Sequence, residues 1–267
     1  MEIEKYHDFA VKIARKAGKI LLDYAEKDLQ IKYKAANKKD LVTKVDHMSE
    51  KCITEAIKKT FPDHCILSEE SGDCGTKKSE YRWVIDPVDG TTNYAHGYPF
   101  YCISIALTRK NEVLAAVVYA PALKEIFHAA KGRGAWLNKT RLKVSKVKKM
   151  EIALLSTGFN PHEKGNDLSL FAGILPKVQG IRQVGSAALG MAYIAAGRFD
   201  GCWTYINIWD VAAGILLVSE AGGKITDMHG KTLDIQKKDY LNILATNGRT
   251  HGEMVNTIKQ ILLNKKP

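Results

Sequence analysis

Trp83-Val84-Ile85-Asp86-Pro87-Val88-Asp89-Gly90-Thr91-Thr92-Asn93 is an apolar run that ends abruptly in two acids, a glycine and two threonines. The pattern reads as a buried strand that delivers its polar end to a site. Unpaired buried carboxylates are costly, so Asp86 and Asp89 require positive charge between them. Oxygen donors of this kind suit a hard cation such as Mg²⁺, which is commonly shared with a substrate phosphate. Gly90 and Thr91 add what a phosphate needs: close backbone approach, amide N–H groups at an incipient helix start, and a hydroxyl. A plain Pro/Asp/Gly turn uses the same residue types, and this stretch alone leaves that reading open.

Upstream, Phe9, Ala10, Ile13, Ala14, Ala17, Ile20, Leu21 and Tyr24 recur at three- and four-residue spacing and predict an amphipathic helix over 4–26. Ile31 to Lys34 alternates like a short strand, and Met48, Cys52, Ile53, Ala56 and Ile57 predict a second helix over about 46–60. Asp46 is placed as its N-cap or as a member of the site. Cys65-Ile66-Leu67 reads as a short strand running into Glu69-Glu70, which cannot both face one way on an extended chain; one points into a site and the other to solvent.

Downstream, the segments 101–108, 113–119 and 124–129 predict an antiparallel meander, and Gly132-Arg133-Gly134 a hairpin turn. The basic stretch Leu142 to Met150 is the most plausible internal boundary, dividing an α+β half (1–146) from an α/β half (147–267). In the second half, strands at 152–156, 181–184, 202–206, 224–227 and 240–246 alternate with helices within 166–176, from Gly185-Ser186-Ala187-Ala188 to about 196, over 211–221 and over 250–263. The small residues Gly185 to Ala188 allow close backbone approach, for packing or for a ligand. Asp210 stands where it can cap the 211–221 helix or offer a carboxylate to a site.

A chain of 267 residues buries a full core, and no stretch approaches the roughly 18 to 20 apolar residues of a membrane span. The charged start Met1-Glu2-Ile3-Glu4-Lys5 is unlike a signal peptide, so a cytoplasmic setting is expected. Five scattered cysteines without a CxxC pair argue for buried thiols, against a zinc site or a disulfide framework. The net charge of +11 favours anionic partners. Its lysine clusters, at Lys38-Lys39, Lys143 to Lys149 and Lys265-Lys266, lack interleaved aromatics, so they read first as solvated surface.

Taken in order, Glu69-Glu70, Asp86-Pro87-Val88-Asp89-Gly90-Thr91 and Trp209-Asp210 resemble the inositol monophosphatase family of metal-dependent phosphatases. The resemblance extends from Asp40-Leu41-Val42-Thr43 through Ala245-Thr246-Asn247, with a second signature in Trp209-Asp210-Val211-Ala212-Ala213-Gly214 and Glu220-Ala221-Gly222-Gly223. It implies a single catalytic domain with a layered α/β/α/β/α sandwich, as in inositol monophosphatases and fructose-1,6-bisphosphatases, and a homodimer inhibited by Li⁺.

The same resemblance implies two or three Mg²⁺ ions, one held by Glu69, Asp86 and the Val88 carbonyl and another by Asp86, Asp89 and Asp210. It implies that Glu69 and Thr91 orient a metal-activated water for in-line attack, that Gly90 and Thr91 amides bind phosphate, and that Asp89, Gly185, Ser186, Ala187 and Asp210 form a hydroxyl-binding wall. Members that prefer inositol monophosphate commonly place a glutamate seven residues before the aspartate matching Asp210; here that position is Trp203. This departure leaves room for fructose 1,6-bisphosphate or another sugar phosphate. Lys34 and Lys38 are the candidates for a loop lysine that assists in some relatives. Because bacterial members can associate with the transcription machinery, a basic module that binds RNA polymerase or RNA is the non-enzymatic alternative.

Overall fold

The computed structural model describes residues 2–25, 27, 29, 31–33, 41–73, 79–158, 168–236 and 241–264. Lys34, Lys38, Cys74 and the clusters Lys38-Lys39 and Lys265-Lys266 lie outside these residues. Seven α-helices occur among the described residues: α1 (Glu2–Tyr24), α2 (Lys44–Thr60), α3 (Thr91–Ala95), α4 (Leu168–Ile174), α5 (Ala187–Ala195), α6 (Ile208–Glu220) and α7 (His251–Leu263). None is long and apolar enough to cross a membrane.

The first half builds an eight-stranded sheet. Third from one edge, Tyr81–Asp89 pairs antiparallel with Cys102–Arg109 and parallel with Cys65–Ser68. From Cys102–Arg109 the predicted meander continues through Glu112–Ala120 and Glu125–Ala130. The turn around Gly132-Arg133-Gly134 leads antiparallel into Ala135–Leu137, as expected. The second half builds a five-stranded sheet that is mixed: Leu154–Thr157 pairs parallel with Gly180–Gln183 and Gly201–Ile206, whereas Leu241–Thr246 pairs antiparallel with Gly201–Ile206 and Lys224–Thr226.

Alternation along the strands produces the layers. Trp83 and Ile85 face a core shared with α1 and α2, while Val84 faces a second core shared with α5 and α6. Cys202 joins that middle core from the second sheet, and Trp203 turns to a third core with α4 and α7. The order is therefore α1 and α2, first sheet, α5 and α6, second sheet, α4 and α7. Each fully buried Ile or Leu contributes about 1.5–3 kcal/mol. A one-residue slip of Tyr81–Asp89 would exchange its two faces, so these side chains fix the register that places the acids.

Candidate functional site

Asp86 and Asp89 are three residues apart, and in a regular strand they would point to opposite faces. The structure brings them to one face with a β-bulge: Asp86 pairs with Ser104 and Asp89 with Cys102, so one extra residue is accommodated around Pro87 and Val88. Proline lacks the ladder donor and suits this irregular position. The Pro87 carbonyl accepts from Ser49 Oγ on α2 at 2.9 Å, and the Val88 N–H donates to Asp86 Oδ1 at 2.9 Å. Val88 itself returns to the core under α1 and α2.

Asp89 meets the start of α5, where Ser186 Oγ and the Ala188 N–H each donate to its Oδ2 at 2.7 Å and the Ala187 N–H donates to Oδ1 at 3.2 Å. Ser186 also caps α5, accepting from the Leu189 N–H. Gly185, at φ +72, has no room for a side chain, because a Cβ would stand 2.8 Å from the Asn93 amide. Asn93 in turn donates to the carbonyls of Phe100 and Val184 and ties α3 to this segment. Asp210 arrives from the first turn of α6. The cap there is Asn207, and Asp210 closes a capping box by accepting from the Asn207 N–H at 3.1 Å. The expected capping role thus belongs to Asn207, because the helix begins at Ile208.

One oxygen from each of Asp86, Asp89 and Asp210 lies within 4.8 Å of the others. Burial pushes Asp86 and Asp210 well above the usual carboxylate range, and the charges of Glu69 and Asp89 push further in both cases. Asp89 is raised to about 6 by burial, against the lowering effect of its bonds from Ser186, Ala188 and Ala187. The acids concentrate negative charge, and no Lys or Arg is among the described residues that line the cavity. Glu69 lines the same cavity of about 220 Å³ but is not one of the three convergent acids.

The cavity wall beyond the acids is neutral and mixed, polar at Ser156, Thr157, Gln183, Thr204 and Asn207 and apolar at Val184, Met191, Ile206 and Trp209, with no Lys or Arg among the described lining residues. Trp203 does not reach it. That side chain is 3% exposed and packs against Leu155, Leu244 and Met254 in the outer core. Strand pleating turns its neighbours Cys202 and Thr204 to the cavity instead. Counting seven residues back from Asp210 therefore lands on the wrong face, and Thr204 is the neighbour that lines the cavity.

Two acids on α2 complete the arrangement. Thr43, not Asp46, is the N-cap of α2; Asp46 lies at the third helical position and accepts from the Thr43 N–H at 2.9 Å and from Thr43 Oγ1 at 2.5 Å. Its other oxygen stands 3.1 Å from Thr91 Oγ1, which also lies 2.9 Å from the Val88 carbonyl. Burial raises the Asp46 carboxyl, with the bonds from Thr43 opposing. Glu50, one turn further on, accepts from Ser68 Oγ at 2.5 Å and from the Glu70 N–H at 3.1 Å, and so holds the turn that carries Glu69. Glu50 was missed from sequence. Its signal was present in Asp46, Ser49, Glu50, Ile53 and Ile57, which put three polar residues on the buried stripe of α2.

A layered α/β fold in which buried Asp86 and Asp89 at the end of Tyr81–Asp89 converge with half-buried Asp210 from α6 defines a metal-dependent hydrolase class. The inositol monophosphatase family model matches residues 2–263, and the chain belongs to that family, whose members are phosphatases. A Pseudomonas aeruginosa protein named Nus factor SuhB is 40% identical over 260 residues, covering 94% of this chain and 95% of that one. A Thermotoga maritima protein named fructose-1,6-bisphosphatase/inositol-1-monophosphatase is 38% identical over 256 residues, covering 96% of each chain. The solved inositol monophosphatase structure from Anabaena superposes with a TM-score of 0.87 at 38% identity over 97% of each chain.

Proposed function

We propose that this chain is a Mg²⁺-dependent phosphomonoesterase acting on an inositol monophosphate by in-line attack of water. The observation that carries the reading is the convergence of Asp86, Asp89 and Asp210 within 4.8 Å. Three hard oxygen donors, Asp86 and Asp89 buried and Asp210 half-buried, with no Lys or Arg among the described residues that line the cavity, fit Mg²⁺. In this reading Asp86, Asp89 and Asp210 hold two or three ions, with Glu69 and the Val88 carbonyl supplying further oxygens. When bound, such ions lower the pKa of a water and neutralise charge on the departing oxygen.

The chain's own groups do the positioning. Asp46, its carboxyl raised by burial, is suited to hold the Thr91 hydroxyl proton across 3.1 Å, which leaves the Thr91 oxygen to orient the attacking water. The Gly90 and Thr91 N–H groups begin α3, where no intrahelical acceptor exists, and they suit phosphate oxygens. Gly185, Ser186 and Ala187 serve as substrate wall chiefly by holding Asp89, since the Ser186 hydroxyl already donates to it. Asp89 and Asp210 retain the second role of accepting from substrate hydroxyls.

The neutral wall favours a substrate with one phosphate and a polyol body. A second phosphate, as in fructose 1,6-bisphosphate, finds no Lys or Arg among the described lining residues. A phosphate-release panel tests this: inositol 1-phosphate is expected to be turned over with Mg²⁺ and not with EDTA. A kcat/KM about tenfold or more higher on fructose 1,6-bisphosphate would reverse the substrate assignment. A homodimer, Li⁺ inhibition and a cytoplasmic setting go with this reading. The name of the P. aeruginosa relative adds a second one, a non-catalytic role beside the transcription machinery. Asp89→Asn separates the two, since a binding role survives loss of phosphatase activity.

A further inference from the structure

Buried Ser and Thr hydroxyls in this chain are bonded with two exceptions among the described residues. Thr108 donates to the Arg82 carbonyl at 3.0 Å, Thr157 to the Trp203 carbonyl at 3.0 Å and Thr226 to the Asp227 carbonyl at 2.6 Å, and Thr246 pairs with His251 at 2.9 Å. The exceptions are Ser156 and Thr204, 3% and 6% exposed, whose hydroxyls have no hydrogen-bond partner among the described residues. A buried hydroxyl left unpaired costs stability, so each such group calls for a reason. Both exceptions line one cavity, the one that also holds Asp89 and Asp210.

Their placement follows from the second sheet. Leu154–Thr157 runs parallel to Gly201–Ile206 with Ser156 beside Cys202, so Ser156, Cys202 and Thr204 share a face, while Leu155 and Trp203 turn to the outer core. Thr204 lies two residues beyond Cys202 on the neighbouring strand. With strands about 4.8 Å apart and a rise of about 3.3 Å per residue, the Cα atoms of Ser156 and Thr204 are about 8 Å apart. The two oxygens therefore meet different substituents of a ring-sized ligand. Bare backbone flanks both: a Cβ on Gly190 would rest on Ser156 Oγ at 3.4 Å, and one on Gly158 would crowd Thr204 Oγ1 at 3.1 Å. Each hydroxyl is thus left uncovered on a rigid strand, and the β-branched Thr204 is further restricted at χ1.

A hydroxyl donates and accepts but carries no charge, so the group that satisfies it here is neutral and polar and enters through the cavity. Phosphate is matched to the acids and to the start of α3, on the side of the first sheet, which leaves the second sheet to face the alcohol part of the ester. We propose that Ser156 and Thr204 are specificity-determining residues that bind two hydroxyls of the substrate's polyol body, remote from the phosphate. They stand apart from the wall of Asp89, Gly185, Ser186, Ala187 and Asp210. The inference rests on the phosphatase reading and narrows its substrate class to phosphate esters whose alcohol carries at least two further hydroxyls.

The test compares inositol 1-phosphate with phenyl phosphate, a ring without free hydroxyls, on the full chain with Mg²⁺. Ser156→Ala and Thr204→Val each remove one hydroxyl and little volume. Each is expected to raise KM for inositol 1-phosphate about three- to tenfold with kcat within about twofold, and the pair together about tenfold or more. KM for phenyl phosphate is expected to stay within about twofold, since a site built for hydroxyls discriminates only where the ligand carries them. Melting temperature is expected to hold or rise in both variants, because neither hydroxyl is bonded within the fold. Thr108→Val is the contrast: it removes a bonded hydroxyl away from the site and is expected to lower the melting temperature and leave both KM values alone. Equal KM changes on the two esters, or a lowered melting temperature with unchanged KM, would overturn the inference while the phosphatase reading stands. Release of phosphate from neither ester by the parent chain would instead sink the phosphatase reading, and the inference with it.

Discussion

Asp46 is the residue on which local structure and chemistry meet. One oxygen closes the capping box of α2 with Thr43 and the other faces the Thr91 hydroxyl. Asp46→Asn keeps the side-chain volume but leaves one acceptor oxygen where there were two, so it can accept from Thr43 or from Thr91 but not from both. We expect kcat to fall about 100-fold with little change in KM, in the range for loss of a positioned proton acceptor. Steady-state kinetics check this, and an unchanged kcat would remove Asp46 from the site. The sequence placed this residue near a helix start as N-cap or site member; the structure gives the cap to Thr43, with Asp46 closing its box, and sets the other Asp46 oxygen 3.1 Å from Thr91 Oγ1. Glu50 escaped notice because a helical glutamate ordinarily reads as solvated surface, and the turn it holds lies 18 residues further on, at Ser68.

At the scale of elements, the strand–bulge–helix unit from Tyr81 to Ala95 was legible as a run of apolar residues ending in polar ones. The bulge was not, because it appears only as a change in which face successive residues take. The same parity problem produced the misplacement of Trp203: spacing along the sequence carries no pleat, whereas the pairing of Gly201–Ile206 with Leu241–Thr246 fixes one. Helices α5 and α6 were legible from their apolar runs, but their caps, Ser186 and Asn207, depend on where the chain turns. The junction of α3 with α5 makes a sharp prediction. Gly185→Ala meets both a left-handed φ of +72 and Asn93 at 2.8 Å. We expect a loss of about 1–3 kcal/mol or more, read by urea denaturation. A neutral result would show that Asn93 moves freely and that Asp89 is not rigidly held.

Across the whole molecule, alternating strands and helices gave an α+β half and an α/β half, and the order of layers came from the family resemblance; the meeting of the two halves had no local signal, since no local pattern states that α6 carries Asp210 to the end of Tyr81–Asp89. That meeting has a pH consequence. In the folded chain Asp86, Asp89 and Asp210 titrate above the ordinary aspartate value of 3.8, Asp89 at about 6. Above pH 3.8 the unfolded chain releases protons that the folded chain retains, so the metal-free protein loses stability as pH rises through this window. His251 acts in the opposite direction. It is buried between Thr226 and Thr246 and lowered to about 4 by burial and by Lys224, so its contribution is full above about 6.5 and is lost as pH falls toward 4. Comparing melting with Mg²⁺ and with EDTA isolates the acids. The Mg²⁺ gain is expected to be small near pH 4 and about 5–10 °C near pH 7.5 at a hundredfold excess over Kd. A gain independent of pH would place the ion elsewhere.

The most direct measurement is anomalous diffraction from crystals soaked in Mn²⁺ and phosphate. The expected result is at least one strong peak among the carboxylates of Asp86, Asp89 and Asp210, with phosphate between the ion and the Gly90–Thr91 amides. Well-ordered carboxylates with no anomalous peak among them, at Mn²⁺ concentrations that support turnover, would contradict the assignment of this site.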